Sequence, residues 1–229
     1  MVTLSPLKNN YLIMHNRFIL FCLSLFFYIT LQASPHDSIS TRYNKGVFST
    51  VAQLSITNND SISNAVINLF VQQMCSDIKG LFKWGLKDMS LKNEEDELLV
   101  FDFKETRYNK QTGILKGIGD VIVPGVTTFK DLSVDSKLTL RTFPNGKKEV
   151  RLDLSKSNLF IREMQGSFYF YPKGNGRYGY LQVVTNIKFA WFFDVFITQK
   201  RYKSIMEWRL RQMILNIKEE SDKRAHMQN

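Results

Sequence analysis

A long stretch of alternating sequence between residues 97 and 188 constrains the fold of this chain more than any other feature. Its runs rich in Val, Ile, Phe, Tyr and Thr are separated by Gly, Pro and Asn, which is the pattern of successive strands. Turn residues at 109–113, 144–146 and 172–177 can join neighbouring runs as hairpins, so we expect an antiparallel sheet. The six predicted strands span residues 98–108, 114–123, 133–143, 148–154, 166–171 and 178–187.

Strand and helix patterns on either side of this stretch complete an α+β chain. Residues 47–57 alternate apolar and polar side chains and predict a first strand. Cap residues then precede an apolar helical pattern over 62–89, which Gly80 and Gly85 interrupt, so two short helices are expected. Residues 198–218 place apolar side chains on one face, as a helix lying on a sheet does. The order β-α-α-β6-α predicts a sheet of about seven strands with a long C-terminal helix.

The N-terminal segment, residues 1–33, has the organisation of a signal peptide. Lys8 and Arg17 are its only charged side chains, and an apolar run over 18–31 follows them. That run is shorter than the about 20 residues that cross a bilayer, so we expect cleavage after Ala33 and a periplasmic or extracellular domain. The residue two positions before Ala33 is larger than signal peptidases prefer, so an uncleaved anchor stays an alternative.

Composition divides the rest of the chain. Residues 34–46 are polar and rich in Ser and Thr, which predicts a flexible leader, and the charged residues 219–229 predict a disordered tail. Between them, 47–218 form one domain, which we expect to be a monomer. Loss of the signal peptide removes Cys22 and leaves Cys75 alone, so an internal disulfide is excluded. We interpret Cys75 as a small buried apolar residue.

The excess of basic residues narrows the choice of partners. The formal net charge is +10, and the densest basic patch lies in the last predicted helix. No nucleic-acid-binding module accompanies this patch, so we expect no nucleic-acid partner. We interpret it as a solvated helix face, and attraction to an acidic membrane surface is the alternative. The patch consists of Lys200, Arg201, Lys203, Arg209 and Arg211.

The positions of the histidines remove most familiar catalytic sites. His15, His36 and His226 all lie outside the predicted domain. A Ser-His-Asp or Cys-His arrangement would therefore lack its base, and a zinc site would lack ligands. We predict no catalytic residue, no metal and no cofactor, and leave open whether the chain is an enzyme.

Three glycines spell the G-x-G-x-x-G pattern of dinucleotide sites. Gly174, Gly176 and Gly179 lie between two predicted strands, and a β pattern follows them. Phosphate binding by this pattern needs the N-terminus of a helix directly after it. The pattern is therefore interpreted as a hairpin loop.

Two carboxylates share a strand face with apolar residues. Glu105 has the parity of Phe101 and Phe103, and Asp120 has that of Ile118. Each could orient the polar end of a ligand at the rim of an apolar cavity, or reach water as a charge at a strand end. The carboxylates with the opposite parity, which we expect to face solvent, are Asp102, Asp135 and Asp153.

In its element order the chain resembles the START-like helix-grip (SRPBCC) superfamily, over roughly residues 47–218. The stretches that carry the resemblance are 113–125, where Gly117 and Gly119 permit a sharply bent strand, and the aromatic segment 191–193 ahead of the last helix. The family implies a strongly curved sheet that wraps around the last helix and leaves an apolar cavity between them.

This resemblance implies a hydrophobic small molecule or lipid as the ligand. Some members of the family act instead as cyclases or hydrolases, and Glu105 or Asp120 would be the residues to test for such a role. Because a register error of one residue turns a whole strand over, the choice of cavity-facing side chains depends on strand parity. The candidate ligand-binding residues are Phe101, Phe103, Glu105, Ile118, Asp120, Phe168, Phe170, Leu181, Val183, Met206, Leu210 and Met213.

A second resemblance concerns residues 106–119. Their Lys110-Gln111-Thr112-Gly113 turn and the Lys116-Gly117-Ile118-Gly119 run are similar to small exported Bacteroidetes domains with a TATA-binding-protein-like fold. That resemblance implies a cell-envelope interaction protein without an enclosed ligand, and the sheet surface would then make the contact.

Overall fold

The computed structural model describes residues 37–56, 61–87, 100–123, 125–191 and 197–226. The chain divides into two units, residues 1–36 and residues 37–229, and the described residues belong to the second. The predicted signal peptide, residues 1–33, therefore lies outside the described residues. Within them, no helix is both long enough and apolar enough to cross a membrane.

The described part of the chain is a single antiparallel sheet accompanied by three helices. The strands lie in the order β1-β2-β9-β8-β7-β6-β5-β4, and the two-residue β3 pairs with β9 beside β2. The helices are α1 (Asn64–Ser76), α2 (Ile78–Trp84) and α3 (Gln199–His226). The strands are β1 (Ser38–Asn44), β2 (Val47–Ser55), β3 (Ile62–Ser63), β4 (Val100–Asn109), β5 (Ile114–Val123), β6 (Thr127–Thr142), β7 (Lys148–Leu154), β8 (Ile161–Gly174) and β9 (Arg177–Phe189). The predicted fold class is confirmed, with β1 and β3 added to the seven expected strands.

The segment predicted as a flexible leader, 34–46, contains strand β1. This strand pairs with β2 along its whole length, and the Thr41 and Thr50 hydroxyls are 3.0 Å apart across the pair. Ile39 packs against the core, and the carboxylate of Asp37 accepts a hydrogen bond of 2.7 Å from the Ser55 N–H. The prediction was wrong because an edge strand can be polar on both faces and then shows no alternation.

The segment predicted as a disordered tail, 219–229, begins with two further turns of α3, which ends at His226. Charged pairs four residues apart support this extension, including Glu219 with Lys223 at 2.7 Å and Glu220 with Arg224 at 2.7 Å. Ser221 is buried, and its Oγ accepts from the Ser63 N–H and donates to the Ser61 carbonyl. The prediction of a disordered tail was wrong because the composition of a segment does not report its contacts with residues far away in the chain.

Two β-bulges bend the sheet where β4, β5 and β6 meet. Lys104 is the extra residue on β4, and Lys130 and Asp131 together lie opposite Asp120 of β5. Gly119 sits between the bulges, where an added Cβ would be 2.5 Å from the Asp102 carbonyl oxygen. The sequence predicted a bend at the β5 glycines, and the structure shows that Gly119 permits it by close approach of two backbones.

The helices are positioned by caps that tie them to each other. The Ser63 Oγ accepts from the Val66 N–H at the start of α1, and the Asp77 carboxylate accepts from the Gly80 N–H at the start of α2. At the other end of α2, Asn216 of α3 is buried and donates to the carbonyls of Gly85 (3.3 Å) and Lys87 (2.7 Å). One side chain of α3 therefore satisfies two carbonyls of the turn that follows α2.

The buried apolar residues fall into two clusters rather than one. The first joins α1, α2 and the C-terminal half of α3 to the middle of the sheet, and Ile62, Leu181 and Ile214 are among its members. The second lies where α3 begins and includes Phe160. Met206 packs against both clusters. A core divided in this way leaves room between its halves.

Candidate ligand-binding site

A cavity of about 400 Å³ lies between the concave face of the sheet and the three helices. Its volume is within the range of ligand pockets, about 300–1,000 Å³. It is partly open to solvent, and the lining residues that are exposed, Asp102 and Phe103, are both on the edge strand β4. Most of the wall is apolar: Phe70, Met74 and Leu81 from α1 and α2, Leu115, Val121, Val134, Leu152, Met164, Phe168 and Ile187 from the sheet, and Met206 and Met213 from α3.

Five of the candidate residues line this cavity. Phe103 and Asp120 come from β4 and β5, Phe168 from β8, and Met206 and Met213 from α3. The aromatic ring of Phe168 also packs edge-on against Phe70 of α1, with ring centroids 5.1 Å apart. For these five positions, strand alternation and helix amphipathicity predicted the cavity-facing side correctly. Their contact with a ligand stays a prediction.

Four other candidates lie in the first core cluster beside the cavity. Phe170, Leu181, Val183 and Leu210 are all buried there, packed among protein side chains. Phe170 and Phe168 are on the same strand face, but Phe170 is further from the cavity and contacts Tyr178, with ring centroids 6.1 Å apart. The sequence placed these residues on the correct face, but periodicity cannot show where along a strand packing ends and a hollow begins.

Ile118 and Glu105 are placed differently from the prediction, and the side chain of Phe101 lies outside the described residues. The residues of β5 that line the cavity include Gly117 and Gly119, so Ile118 between them points to the opposite face. Glu105 follows the bulge on β4, and its carboxylate is 2.6 Å from the guanidinium of Arg107. The bulge turned Glu105 to the face opposite to the predicted one. Because glycine has no side chain, a hydrophobicity pattern does not show that the face of β5 with Gly117 and Gly119 lines the cavity.

Asp120 lines the cavity but is engaged in holding the bend. Its carboxylate is 2.7 Å from the Lys104 ammonium and accepts a 2.8 Å hydrogen bond from the Asp131 N–H. The same ammonium is 2.7 Å from the Asp131 carboxylate. The hydrogen bond from Lys104, and then that from the Asp131 backbone, hold the pKa of Asp120 below its usual range. A carboxylate stabilised in its charged form is a weak base, and one of its oxygens, Oδ1, accepts from both bulges.

Tyr202 closes the end of the cavity where α3 begins. Its ring stacks on Phe48 with centroids 4.0 Å apart and meets Phe189 edge-on at 5.9 Å. Burial raises the pKa of Tyr202 to about 12, an effect that the hydroxyls of Thr50 and Thr185 partly oppose. The phenol therefore stays neutral, and it presents the apolar face of an aromatic ring to the hollow. Sequence reasoning placed Tyr202 on the apolar face of the helix but not among the ligand contacts.

Methionine side chains are concentrated in the lining. Met74, Met164, Met206 and Met213 reach it from α1, β8 and α3. Methionine is unbranched and polarizable, so it adapts its shape to a guest more readily than a β-branched side chain does. Such a lining suits an apolar ligand that is recognised by shape rather than by a fixed set of hydrogen bonds.

The described residues offer little for metal or thiol chemistry. They contain no group of three His, Cys, Asp or Glu side chains that could hold a metal ion. Cys75 is half-buried on α1 and packs against the first core cluster, and burial raises the pKa of its thiol. A raised pKa disfavours the reactive thiolate, which agrees with the interpretation of Cys75 as a packing residue.

Comparison with known proteins gives similarity in fold. No protein-family model matches the sequence, and no curated protein sequence matches it. Among solved structures, human STARD10 has a TM-score of 0.46 at 9% identity, covering 83% of this chain and 76% of its own. The lipid transfer and protein localization domain of human StarD13 has a TM-score of 0.41 at 10% identity, covering 86% and 96%. A norcoclaurine synthase point mutant from Thalictrum flavum has a TM-score of 0.41 at 14% identity, covering 83% and 99%.

The chain resembles START-like helix-grip proteins in fold. The matched structures belong to the START and Bet v1-like group, as the element order predicted. Identities of 14% or less and TM-scores below 0.5 concern architecture alone. The lining of the cavity therefore decides what the cavity accommodates.

Proposed function

We propose that this protein binds a hydrophobic small molecule or a lipid in the cavity between the sheet and α3. The observation that carries the proposal is the apolar hollow of about 400 Å³ that separates the two core clusters. Interiors normally pack without voids larger than a water molecule, and an apolar void left empty costs stability. A guest of complementary shape would restore the lost contacts and bury its own apolar surface, at about 25 cal/mol per Å².

Gly166 offers a direct test, because it lies on the cavity face of β8 between two lining residues. Met164 and Phe168 both line the hollow, and strand alternation places Gly166 on the same face. A Cβ added at Gly166 would meet nothing within 4 Å. Gly166→Leu should therefore extend a side chain into the space that a ligand would occupy without displacing protein atoms. Gly166→Ala is the matched control, since it adds one carbon at the same site.

The experiment measures ligand occupancy in wild type and in both variants. Protein purified under native conditions would be examined by native mass spectrometry for a bound lipid, and then titrated after delipidation with a fluorescent fatty acid. We expect Gly166→Leu to weaken binding at least tenfold and Gly166→Ala to bind as wild type does. Equal binding by all three proteins, or no bound lipid and no titration signal in wild type, would contradict the proposal.

We also propose that residues 1–33 direct export and are then removed. The proposal is supported by the basic start and the short apolar run of this segment, and by the compact unit that residues 37–229 form by themselves. The mass of the mature protein recovered from an expressing bacterium would locate the cleavage. A chain starting at Ser34 in the extracytoplasmic fraction is the expected result, and an intact N-terminus in the cytoplasmic fraction would refute it.

A further inference from the structure

One end of the sheet exposes large apolar side chains. At this end β1, β9, β7 and β5 finish, β2, β8 and β6 start, and α3 begins; we call it the helix-entry end. Leu159 is 76% exposed, Trp191 is 74% exposed and Val126 is 55% exposed. Exposed side chains of this size, gathered at one end, mark a contact surface more often than scattered ones do.

Leu159 and Trp191 lie close together because each is adjacent to one of two paired residues. The Ala190 N–H donates to the Phe160 carbonyl at 2.9 Å, so Leu159 and Trp191 are the next residues along two adjacent chain segments. Phe160 and Ala190 share the second core cluster with Val123, which precedes the turn that carries Val126. Leu159 and Trp191 are thus each adjacent in sequence to a buried residue, and Val126 lies in the turn that follows one.

The same end carries positive charge. Lys200, Arg201 and Lys203 are exposed on the first turns of α3, Lys45 is exposed in the β1–β2 turn, and Lys156 is exposed in the β7–β8 loop. Neighbouring acidic groups are paired with bases, since Glu163 is 3.0 Å from Lys188, and Asp131 shares the ammonium of Lys104 with Asp120. The described residues therefore give this end a positive surface around an apolar centre.

We propose that the helix-entry end docks onto an anionic lipid surface. Tryptophan and leucine insert at the boundary between headgroups and acyl chains, and tryptophan is enriched there. Lysine and arginine beside them are attracted to acidic headgroups, at about 1 kcal/mol for each charge near the surface. A second copy of this chain is a poorer occupant, because two such faces would bring like charges together.

The test uses the chain from Ser34 onward, because residues 37–229 are a compact unit and the apolar run at 18–31 would itself bind vesicles. Binding is measured by co-sedimentation with vesicles of phosphatidylcholine alone and of phosphatidylcholine mixed with phosphatidylglycerol. We expect binding to the mixed vesicles only, weakened by salt, with a blue shift of tryptophan emission that Trp191→Phe reduces.

Two pairs of variants locate the surface. Lys200→Glu with Lys203→Glu should lower the partition coefficient by roughly 25-fold or more, at about fivefold for each positive charge removed. Lys110→Glu with Lys137→Glu removes the same charge away from this end and should bind as wild type does. Glutamate near the start of a helix is favoured by the helix dipole, so the first pair should remain folded, which thermal unfolding verifies. Leu159→Ser should weaken binding, whereas Leu140→Ser, at a leucine that is 56% exposed on β6, should not.

Three results would overturn the proposal. Equal binding to neutral and anionic vesicles would remove the role of the basic residues. If the control variants away from this end lost as much vesicle binding as the variants at this end, the helix-entry end would not be the binding surface. Absence of vesicle binding, together with a concentration-dependent dimer that Leu159→Ser abolishes, would show that this end joins two copies of the chain.

Discussion

Gly119 is held closer to the neighbouring strand than any side chain would allow. An added Cβ would lie 2.5 Å from the Asp102 carbonyl oxygen and 3.1 Å from the Phe103 Cα, and backbone atoms cannot move aside as the end of a flexible side chain can. This approach is what lets the bulges of β4 and β6 meet across β5. The bend at these bulges therefore requires a residue without a Cβ at position 119.

Gly119→Ala should lower the free energy of unfolding by about 1–3 kcal/mol, the usual cost of forcing atoms into a packed site. Gly166→Ala is the matched control on the same sheet, because open space surrounds its added Cβ. That control should leave the free energy unchanged or raise it by up to about 1 kcal/mol, since alanine restricts the unfolded chain. Urea denaturation of both variants measures the difference, and equal free energies would show that the close approach does not support the bend.

At the scale of elements, a buried amide of α3 binds the turn that follows α2. Asn216 donates to two carbonyls at the end of α2, and its Oδ1 accepts from Gln212 at 3.0 Å. Leu86 of the same segment lines the cavity, so this contact also positions part of the wall. Asn216→Ala should cost about 1–3 kcal/mol, the penalty for leaving buried acceptors unpaired.

Gln212→Ala is the control for Asn216, because it removes the neighbour of the amide and keeps both bonds to α2. Because Gln212 is half-buried and donates one hydrogen bond to the Asn216 Oδ1, we expect its loss to cost about 1 kcal/mol, less than the loss of both bonds in Asn216→Ala. Hydrogen exchange should show faster opening of α2 in Asn216→Ala and normal opening in Gln212→Ala. Unchanged exchange of α2 in both variants would mean that the α2 carbonyls do not need the amide.

How far the sequence predicts these elements depends on the range of the contacts that define them. Strands β5 and β7 match their predicted bounds because turn residues delimit them locally. Strand β6 starts at Thr127, ahead of the predicted Ser133, because the bulge at Lys130 and Asp131 breaks the alternation. In the site, Met206 and Met213 follow from the apolar face of α3. The missed α1 and α2 lining residues, Phe70, Met74 and Leu81, are set by tertiary packing, which periodicity does not report.

At the scale of the whole molecule, the cavity lies between two core clusters that are built from the same strands and the same helix. Strands β2, β5, β8 and β9 and helix α3 each contribute buried residues to both clusters. Phe48 of β2 lies in the second cluster, for example, whereas Ala52 of the same strand lies in the first. Loss of either cluster would release elements on which the other depends. Residues 37–229 should therefore unfold in one cooperative transition despite the cavity.

Ile62→Ala and Phe160→Ala test this coupling, one in each cluster. Ile62 is 0% exposed in the first cluster and Phe160 is 1% exposed in the second, so each truncation should cost about 2–5 kcal/mol. Because the clusters share strands, each variant should lower the midpoint of the same single transition, with equal calorimetric and van't Hoff enthalpies. A second transition that moves in only one variant would show instead that the two sides of the cavity unfold separately. A ligand bound in the hollow contacts both sides, so it should raise the shared midpoint of wild type and of both variants.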